Sequence, residues 1–404
     1  MRIGLFIDTF YPMVDGVINV VDNYAKELLK YGEVTVFCPL VDKEEIKNKP
    51  YKIVQCKSID ISGIDYCLPT PTIDKAFMKK LKDSNLDIVH IHSPFTVGMA
   101  GLKYAKKKKI PVVATLHSQF KQDFERTMKF KTPTNIALSE VMHVFNGCNE
   151  CWAVNEDIKK LYVEEYKLTA PCLVVTNGTD HLPVENKQKS NEEINREYGL
   201  NADESLYLFV GRINYLKNID LIANSLKILK DRGRKFKMIF VGIGQDEQKF
   251  KELLKDLNLE DRVIMAGKIE DKNKLASLYS RAKLFLFPSL YDSNSLVQIE
   301  ASCQKTPTLF VYGAKTASLV KENVNGFFAK NDAYSYADMI EKIEANPDLY
   351  KQVSENAFKD LYSPWDEKVK SSYERYFKLH ERARRKKLLQ LYRKGRKKAN
   401  KTHL

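Results

Sequence analysis

One rhythm in the sequence limits what this chain can become, and it runs twice. In the first half, "RIGLFID", "EVTVFCP", "KIVQC", "DIVHIH", "PVVATLH", "ECWAVNE" and "CLVVTNG" are short, near-continuous apolar runs, most of them separated by stretches of helical periodicity. The first of these stretches, "VINVVDNYAKELLKYG", ends at Gly32. Strands that are apolar on both faces and alternate with helices build a parallel sheet covered on each side. The pattern starts again with "LYLFVGR", "KMIFVGIG", "RVIMAGKI", "KLFLFPS" and "TPTLFVY". Between the two series lies the polar run 184–204, "VENKQKSNEEINREYGLNADE", read as a linker and the entry to a second domain. Two α/β domains of Rossmann-like type facing an interdomain cleft are therefore expected, with the cleft as the default ligand site.

Bulk properties narrow the class. A chain of 404 residues exceeds one ordinary core, and 44% apolar with 29% charged residues is the composition of a soluble enzyme. No apolar run is long enough to span a bilayer, and Asp8 breaks the only N-terminal run that could resemble a signal peptide, so a cytosolic protein is expected. Seven scattered cysteines fit reduced thiols. Cys148 and Cys151 form a C-x-x-C without a second pair or nearby histidines, which favours buried thiols over a metal site. The net charge of +14 is concentrated at the end. From Lys378 onward there are twelve Lys and Arg against one acid, Glu381, with Leu388, Leu391 and Tyr392 at helical spacing among them. A basic amphipathic tail suits an anionic membrane surface better than a nucleic-acid groove in the folded body.

The chemistry gathers in "SLYDSNSLVQIEASCQKTP". On a helix, Glu300 shares the side of Leu296, Val297 and Cys303, where an unpartnered carboxylate is costly. Either it accepts from the vicinal hydroxyls of a ribose, or it pairs with an Arg or Lys of a neighbouring helix. Ser293 or Asn294 is placed to cap this helix, leaving the N–H groups of Asn294, Ser295 and Leu296 to meet a diphosphate. In "LYLFVGRINYLKNIDLI", Gly211 permits close backbone approach at a strand end, and Arg212 and Lys217 follow it. Both are placed to neutralise a leaving nucleoside diphosphate, or else are simply solvated. Gly242 and Gly244 in "FVGIGQ" are too few glycines for a dinucleotide fingerprint. Gly16 precedes the first helix, and His92 and His117 close two strands. His90 and His92 share a strand face, yet no third ligand follows at metal spacing and the chain contains no Asp-x-Asp, so no metal is expected. In "FKQDFERTMKFK", Phe120 and Phe124 alternate with basic residues including Arg126 and Lys129, which fits either a membrane-facing acceptor region or a solvated helix with a core stripe.

"FVGRINYLK", the D-x7-E of "YDSNSLVQIE", "VTNGTD", and "HIHSPF" with "TLHSQF" together resemble glycosyltransferase family 4, the retaining group with the GT-B fold, over about residues 1 to 378. The resemblance implies that Glu300 holds the nucleotide ribose and that Asp292 lies near the donor sugar and phosphates. It also implies that Arg212 and Lys217 contact the diphosphate, that His117 sits by the sugar, and that Gly16 lines the first loop. Gly267 and Lys268, at the end of "RVIMAGKI", join Gly211, Asn294, Ser295 and Leu296 in the implied donor site. Where the family usually has Glu, this chain has Asp292, whose shorter reach bears on donor choice.

The implied organisation is an acceptor domain over 1–183, a nucleotide-sugar domain over 184–359, a helix over 360–379 returning to the first domain, and the basic tail 380–404. The implied activity is transfer of a hexose, with retention, from a UDP-sugar and without a metal or other cofactor. The stretch 92–124 looks like bacterial diacylglycerol glucosyltransferases, which points to a lipid or lipid-linked acceptor and a peripheral position on the inner face of the cell membrane. A transferase building capsular or wall polysaccharide is the alternative within enzymes. A non-catalytic polyanion-binding scaffold is the alternative outside them.

Overall fold

The computed structural model describes every residue except 12, 14, 15, 42, 61–66, 129, 130 and 400–404, with a few further residues inside helices and strands described by backbone alone. The chain forms two compact units, Met1–Thr176 with Trp365–Leu404, and Asn177–Pro364.

The strands of the first unit are β1 (Arg2–Phe6), β2 (Glu33–Pro39), β3 (Lys52–Cys56), β4 (Ser58–Asp60), β5 (Cys67–Pro69), β6 (Ile88–Ile91), β7 (Val112–Leu116), β8 (Glu150–Ala153) and β9 (Cys172–Val174). Seven of them form one sheet in the order β3-β2-β1-β6-β7-β8-β9, while β4 and β5 make a separate antiparallel pair. Every pairing in the large sheet is parallel. Its strands are buried nearly throughout, as apolar runs between two helical layers must be.

The second unit contains β10 (Ser205–Val210), β11 (Phe236–Val241), β12 (Val263–Gly267), β13 (Leu284–Leu286), β14 (Thr308–Val311) and β15 (Phe327–Ala329), in the order β12-β11-β10-β13-β14-β15, again all parallel. In each sheet the strand order reverses once, between β1 and β6 and between β10 and β13. The carboxyl ends of the strands beside such a reversal are where ligands bind in open α/β sheets.

The unit boundaries differ from the expected ones. The second unit begins at Asn177 rather than 184 and runs on to Pro364 rather than 359, because Thr179 N–H donates to Ser363 O (2.9 Å) and pairs with Pro364, tying its entry to its exit. The supposed linker is largely the helix Lys187–Tyr198, capped by the Asn186 side chain and ended by Gly199 in the left-handed region at φ 61°.

The last helix, Trp365–Ala399, is one continuous element of 35 residues and belongs to the first unit. Its first half is docked there. Tyr376 stacks on Trp152 at 5.2 Å between ring centres, Tyr24 Oη and Ser372 Oγ are 3.0 Å apart, and Arg375 binds the Glu150 carboxylate through two N–H groups at 2.6 and 3.2 Å. Beyond His380 the same helix turns exposed and basic, with Leu388 and Tyr392 on its surface. The side chain of Leu391 lies outside the described residues.

Candidate active site

In the second unit, the loop leaving β10 is held by backbone. Gly211 N–H donates to Val241 O (2.9 Å), Ile213 N–H to Ile243 O (3.1 Å), and Gly242 N–H to Gly267 O (2.8 Å). A Cβ on Gly242 would lie 1.9 Å from Gly211 O, and one on Gly244 would lie 2.1 Å from Ile213 O. The G-x-G of β11 is thus a packing device that lets the 211–213 strand-end pass close by, rather than a phosphate cradle. Gly267, at φ 67°, turns the end of β12 in the left-handed region, and the exposed Lys268 beside it pairs with Glu270 at 2.6 Å.

This backbone path sets Arg212, exposed, and Lys217 at the carboxyl edge of the sheet. Asn218, in the left-handed region, fastens the loop to its neighbours by donating to Pro288 O (3.2 Å) and Asn331 Oδ1 (2.8 Å). Lys217 Nζ forms an ion pair with Asp292 Oδ1 across the two loops that follow β10 and β13. Both side chains are more than four-fifths buried, and Asp292 Oδ2 is buried without a hydrogen-bond partner among the described residues. A carboxylate with one oxygen paired and the other empty is an unfinished site.

The helix after β13 begins at Leu296, one residue later than the expected caps place it. Ser295 is at its N-cap but makes no side-chain cap bond, and its own N–H is spent on Thr316 Oγ1 (2.8 Å). Ser293 and Asn294 therefore do not cap it, and Ser295 offers no N–H to a diphosphate. Leu296, half-buried, opens the first turn.

Glu300 is half-buried and accepts from Tyr279 Oη at 3.0 Å. Among the described residues no Lys or Arg lies within ion-pair distance of it, so the basic partner from a neighbouring helix is absent and a phenol stands in its place. Burial raises the Glu300 carboxyl above its ordinary range; His181, the Tyr279 bond and Lys272 oppose that rise. Tyr279 carried no signal in the sequence, because it sits on the helix Lys272–Arg281 and meets Glu300 only through tertiary packing.

The first unit finishes its sheet edge with buried groups bonded within the unit. Asp8, just past β1, accepts from Val97 N–H (2.6 Å), Phe95 N–H (3.2 Å), Gly98 N–H (3.3 Å) and Thr96 Oγ (3.2 Å), filling the N-terminus of the helix Thr96–Lys108 with the chain's own carboxylate. Burial pushes its pKa up to about 6 against those four bonds. In the sequence, Asp8 interrupts an apolar run; a carboxylate at a strand end is the signal of its helix-capping role.

His90 sits between Tyr376 Oη (2.5 Å) and Thr115 Oγ (2.7 Å), so it supports the docking of the last helix. His92 Nδ1 lies 3.1 Å from His117 Nε2. Burial holds His90 and His92 well below the usual imidazole range and brings His117 down to about 3. Among the described residues no group of three or more His, Cys, Asp or Glu is arranged to hold a metal ion.

Gly16 begins the first helix, exposed, and a Cβ there would meet nothing within 4 Å among the described residues. Phe120 and Phe124 fall on the core side of the helix Phe120–Met128. They stack on each other at 5.8 Å, and Phe120, only 8% exposed, also packs near Phe145 and Phe95. Four-residue spacing puts both rings on one helix face, and the core buries Phe120 while Phe124 stays half-buried. Arg126 is exposed, and Lys129 lies outside the described residues.

Two parallel sheets, each reversing once and each flanked by helices, define an α/β class of open, doubly wound sheets. Family models agree with that. "Glycosyltransferase Family 4" matches residues 14–181, and "Glycosyl transferases group 1" matches residues 190–360. The chain belongs to glycosyltransferase family 4 and has the GT-B fold.

It is 27% identical over 379 residues to alpha-monoglucosyldiacylglycerol synthase of Acholeplasma laidlawii, covering 88% of this chain and 92% of that one. To the protein of the same name from Streptococcus pneumoniae it is 24% identical over 353 residues, covering 86% and 80%. Among solved structures, Anabaena HepE in complex with UDP superposes with a TM-score of 0.74 at 14% identity, over 93% of this chain and 99% of that one. No helix among the described residues is long and apolar enough to cross a membrane.

Proposed function

We propose that the protein is a retaining hexosyltransferase that takes its sugar from a UDP-sugar and gives it to a membrane lipid or lipid-linked acceptor. The observation that carries this reading is the Lys217–Asp292 ion pair with its empty Oδ2, on the same sheet edge as the half-buried, base-free Glu300. Such an edge has a cation to lend, an Asp292 oxygen without a donor among the described residues, and a Glu300 carboxylate that accepts from a single phenol. A nucleoside diphosphate sugar has both complements: ribose hydroxyls for Glu300, sugar hydroxyls for Asp292, and a diphosphate for Arg212 and Lys217.

Chemistry then needs no metal. As the anomeric bond breaks, Arg212 and Lys217 stabilise charge growing on the departing diphosphate, whose oxygen takes the acceptor's proton on the same face. Retention by front-face departure requires no carboxylate nucleophile, and none is assigned.

UDP is favoured as carrier because HepE binds it, and a diacylglycerol-type acceptor because both synthases named above act in that chemistry. The exposed basic half of the last helix would hold the enzyme on the anionic inner face of the membrane, at about 1 kcal/mol per Lys or Arg near the surface. The test is transfer from UDP-glucose or UDP-galactose to diacylglycerol or its monoglycosyl form in anionic vesicles, with product configuration read by proton NMR. An α-linked glycolipid is expected. A β-linked product contradicts retention, and transfer confined to soluble glycans contradicts the lipid acceptor.

A further inference from the structure

We infer that His92 is a positioning residue that locks the His117 imidazole in its Nδ1–H tautomer, so that one N–H donor is presented to the bound sugar. The clause about the sugar rests on the proposed transfer reaction and on the place by the sugar that the family resemblance implies for His117; the tautomer does not.

His92 follows β6 and His117 follows β7, adjacent strands of the first sheet. The backbone N–H of His92 donates to Phe6 O at 2.8 Å, which fixes where its ring can sit. The ring is 3% exposed, with His90 at 3.9 Å and Tyr24 at 5.7 Å between ring centres. Its Nδ1 is 3.1 Å from His117 Nε2, and its Nε2 is buried with no hydrogen-bond partner among the described residues. Groups that could have served that nitrogen are engaged elsewhere: Tyr24 with Ser372, and His90 with Tyr376 and Thr115.

One proton must lie between the two rings, and the orphan decides which ring owns it. If His117 donated from Nε2, His92 would carry its own proton on Nε2 and bury an N–H with no acceptor. If His92 donates from Nδ1, the orphan is a bare lone pair, the less costly defect. His92 therefore donates, and His117 keeps its proton on Nδ1, on a ring that is itself only half-buried. Burial keeps both rings neutral at pH 7, so that each has one N–H to place.

The experiment is a two-bond proton–nitrogen correlation spectrum of the full chain labelled with 15N-histidine, recorded for wild type, His92→Asp and His92→Asn. Wild type is expected to show His117 protonated at Nδ1. His92→Asp offers Nε2 an acceptor and no donor and is expected to move His117 toward the Nε2–H form, whereas His92→Asn, whose amide can donate to the same nitrogen, is expected to keep Nδ1–H. In turnover, His92→Asp is expected to lower kcat/KM for the sugar donor about 10-fold, the worth of one misdirected hydrogen bond, and His92→Asn to keep most of it. An Nε2–H tautomer at His117 in wild type, or one indifferent to His92→Asp, overturns the inference. A tautomer that shifts while kcat/KM stays constant upholds the coupling and overturns the placement of His117 at the sugar. Should His92→Asp fail to fold, the wild-type spectrum and His92→Asn decide alone.

Discussion

The two units finish the same kind of sheet edge in opposite ways. Beyond β1, β6 and β7 the polar groups are buried, uncharged where they are imidazoles, and bonded to one another: Asp8 to a helix N-terminus, His90 to Tyr376 and Thr115, His92 to His117. Beyond β10, β12 and β13 they are charged and paired, Lys217 with Asp292 between two loops and Lys268 with Glu270 within one. A buried network of mutually bonded groups is a rigid frame, costly to rearrange because each broken bond leaves an orphan. An ion pair on loops can exchange its partner for a ligand of like charge. The first unit therefore carries preset geometry, and the second carries exchangeable charge.

Breaking the frame should cost the most. Tyr376→Ala removes the ring that stacks on Trp152 and meets His90, and should destabilise the first unit by about 3–5 kcal/mol by chemical denaturation. UDP affinity should be unchanged below the unfolding transition; loss of affinity in the folded variant would mean that frame and charge are not separable.

Lys217→Ala should lower kcat/KM by about 100- to 1000-fold, or about 2.7–4 kcal/mol. It should also lower the melting temperature, because a buried Asp292 carboxylate loses its counter-charge. The double variant Lys217→Ala/Asp292→Ala should recover the melting temperature and none of the turnover. Recovery of both would reduce the pair to a structural strut.

Acid sharpens the contrast further. His90, His92 and His117 titrate lower in the folded protein than in the unfolded chain, so the unfolded state binds more protons as pH falls below about 6.5, and stability is lost in that direction. Each histidine contributes a slope of up to about 1.4 kcal/mol per pH unit. Asp8, raised to about 6, has the opposite sign between about 4 and 6 and offsets one of the three. Denaturation midpoints of the first unit at pH 7.5, 6 and 5 should fall steadily; a flat profile would mean that the imidazoles are not buried neutral. The smallest change per residue is expected in the tail: each basic residue deleted after His380 should weaken binding to anionic vesicles by about 1 kcal/mol, with turnover on a soluble acceptor unaffected.

The long strands were legible because apolar runs such as "EVTVFCP" and "KMIFVGIG" can be satisfied only inside a covered sheet. Among the three-residue strands, β9 and β13 lie in the apolar runs "CLVVTNG" and "KLFLFPS" and could be read, whereas β15 and the β4–β5 pair carry no such run and could not. Residues 184–204 read as a linker because the helix within them buries only Ser190 and Ile194. At the site, Arg212, Lys217, Asp292 and Glu300 could be named from loop and helix position, since each follows a recognisable strand. Their partners could not, because Tyr279 reaches Glu300, and Thr316 takes the N–H of Ser295, through packing between elements distant in sequence. Phe120 and Phe124 show the limit from the other side: an apolar stripe among lysines looks the same whether a core or a membrane receives it.

Calorimetric titration of UDP into wild type and Glu300→Ala tests the central claim most directly. The account predicts that wild type binds, and that the variant, with an unchanged melting temperature, loses at least about 10-fold in affinity as the ribose hydroxyls lose a charged acceptor. Equal affinity in the two proteins would contradict it.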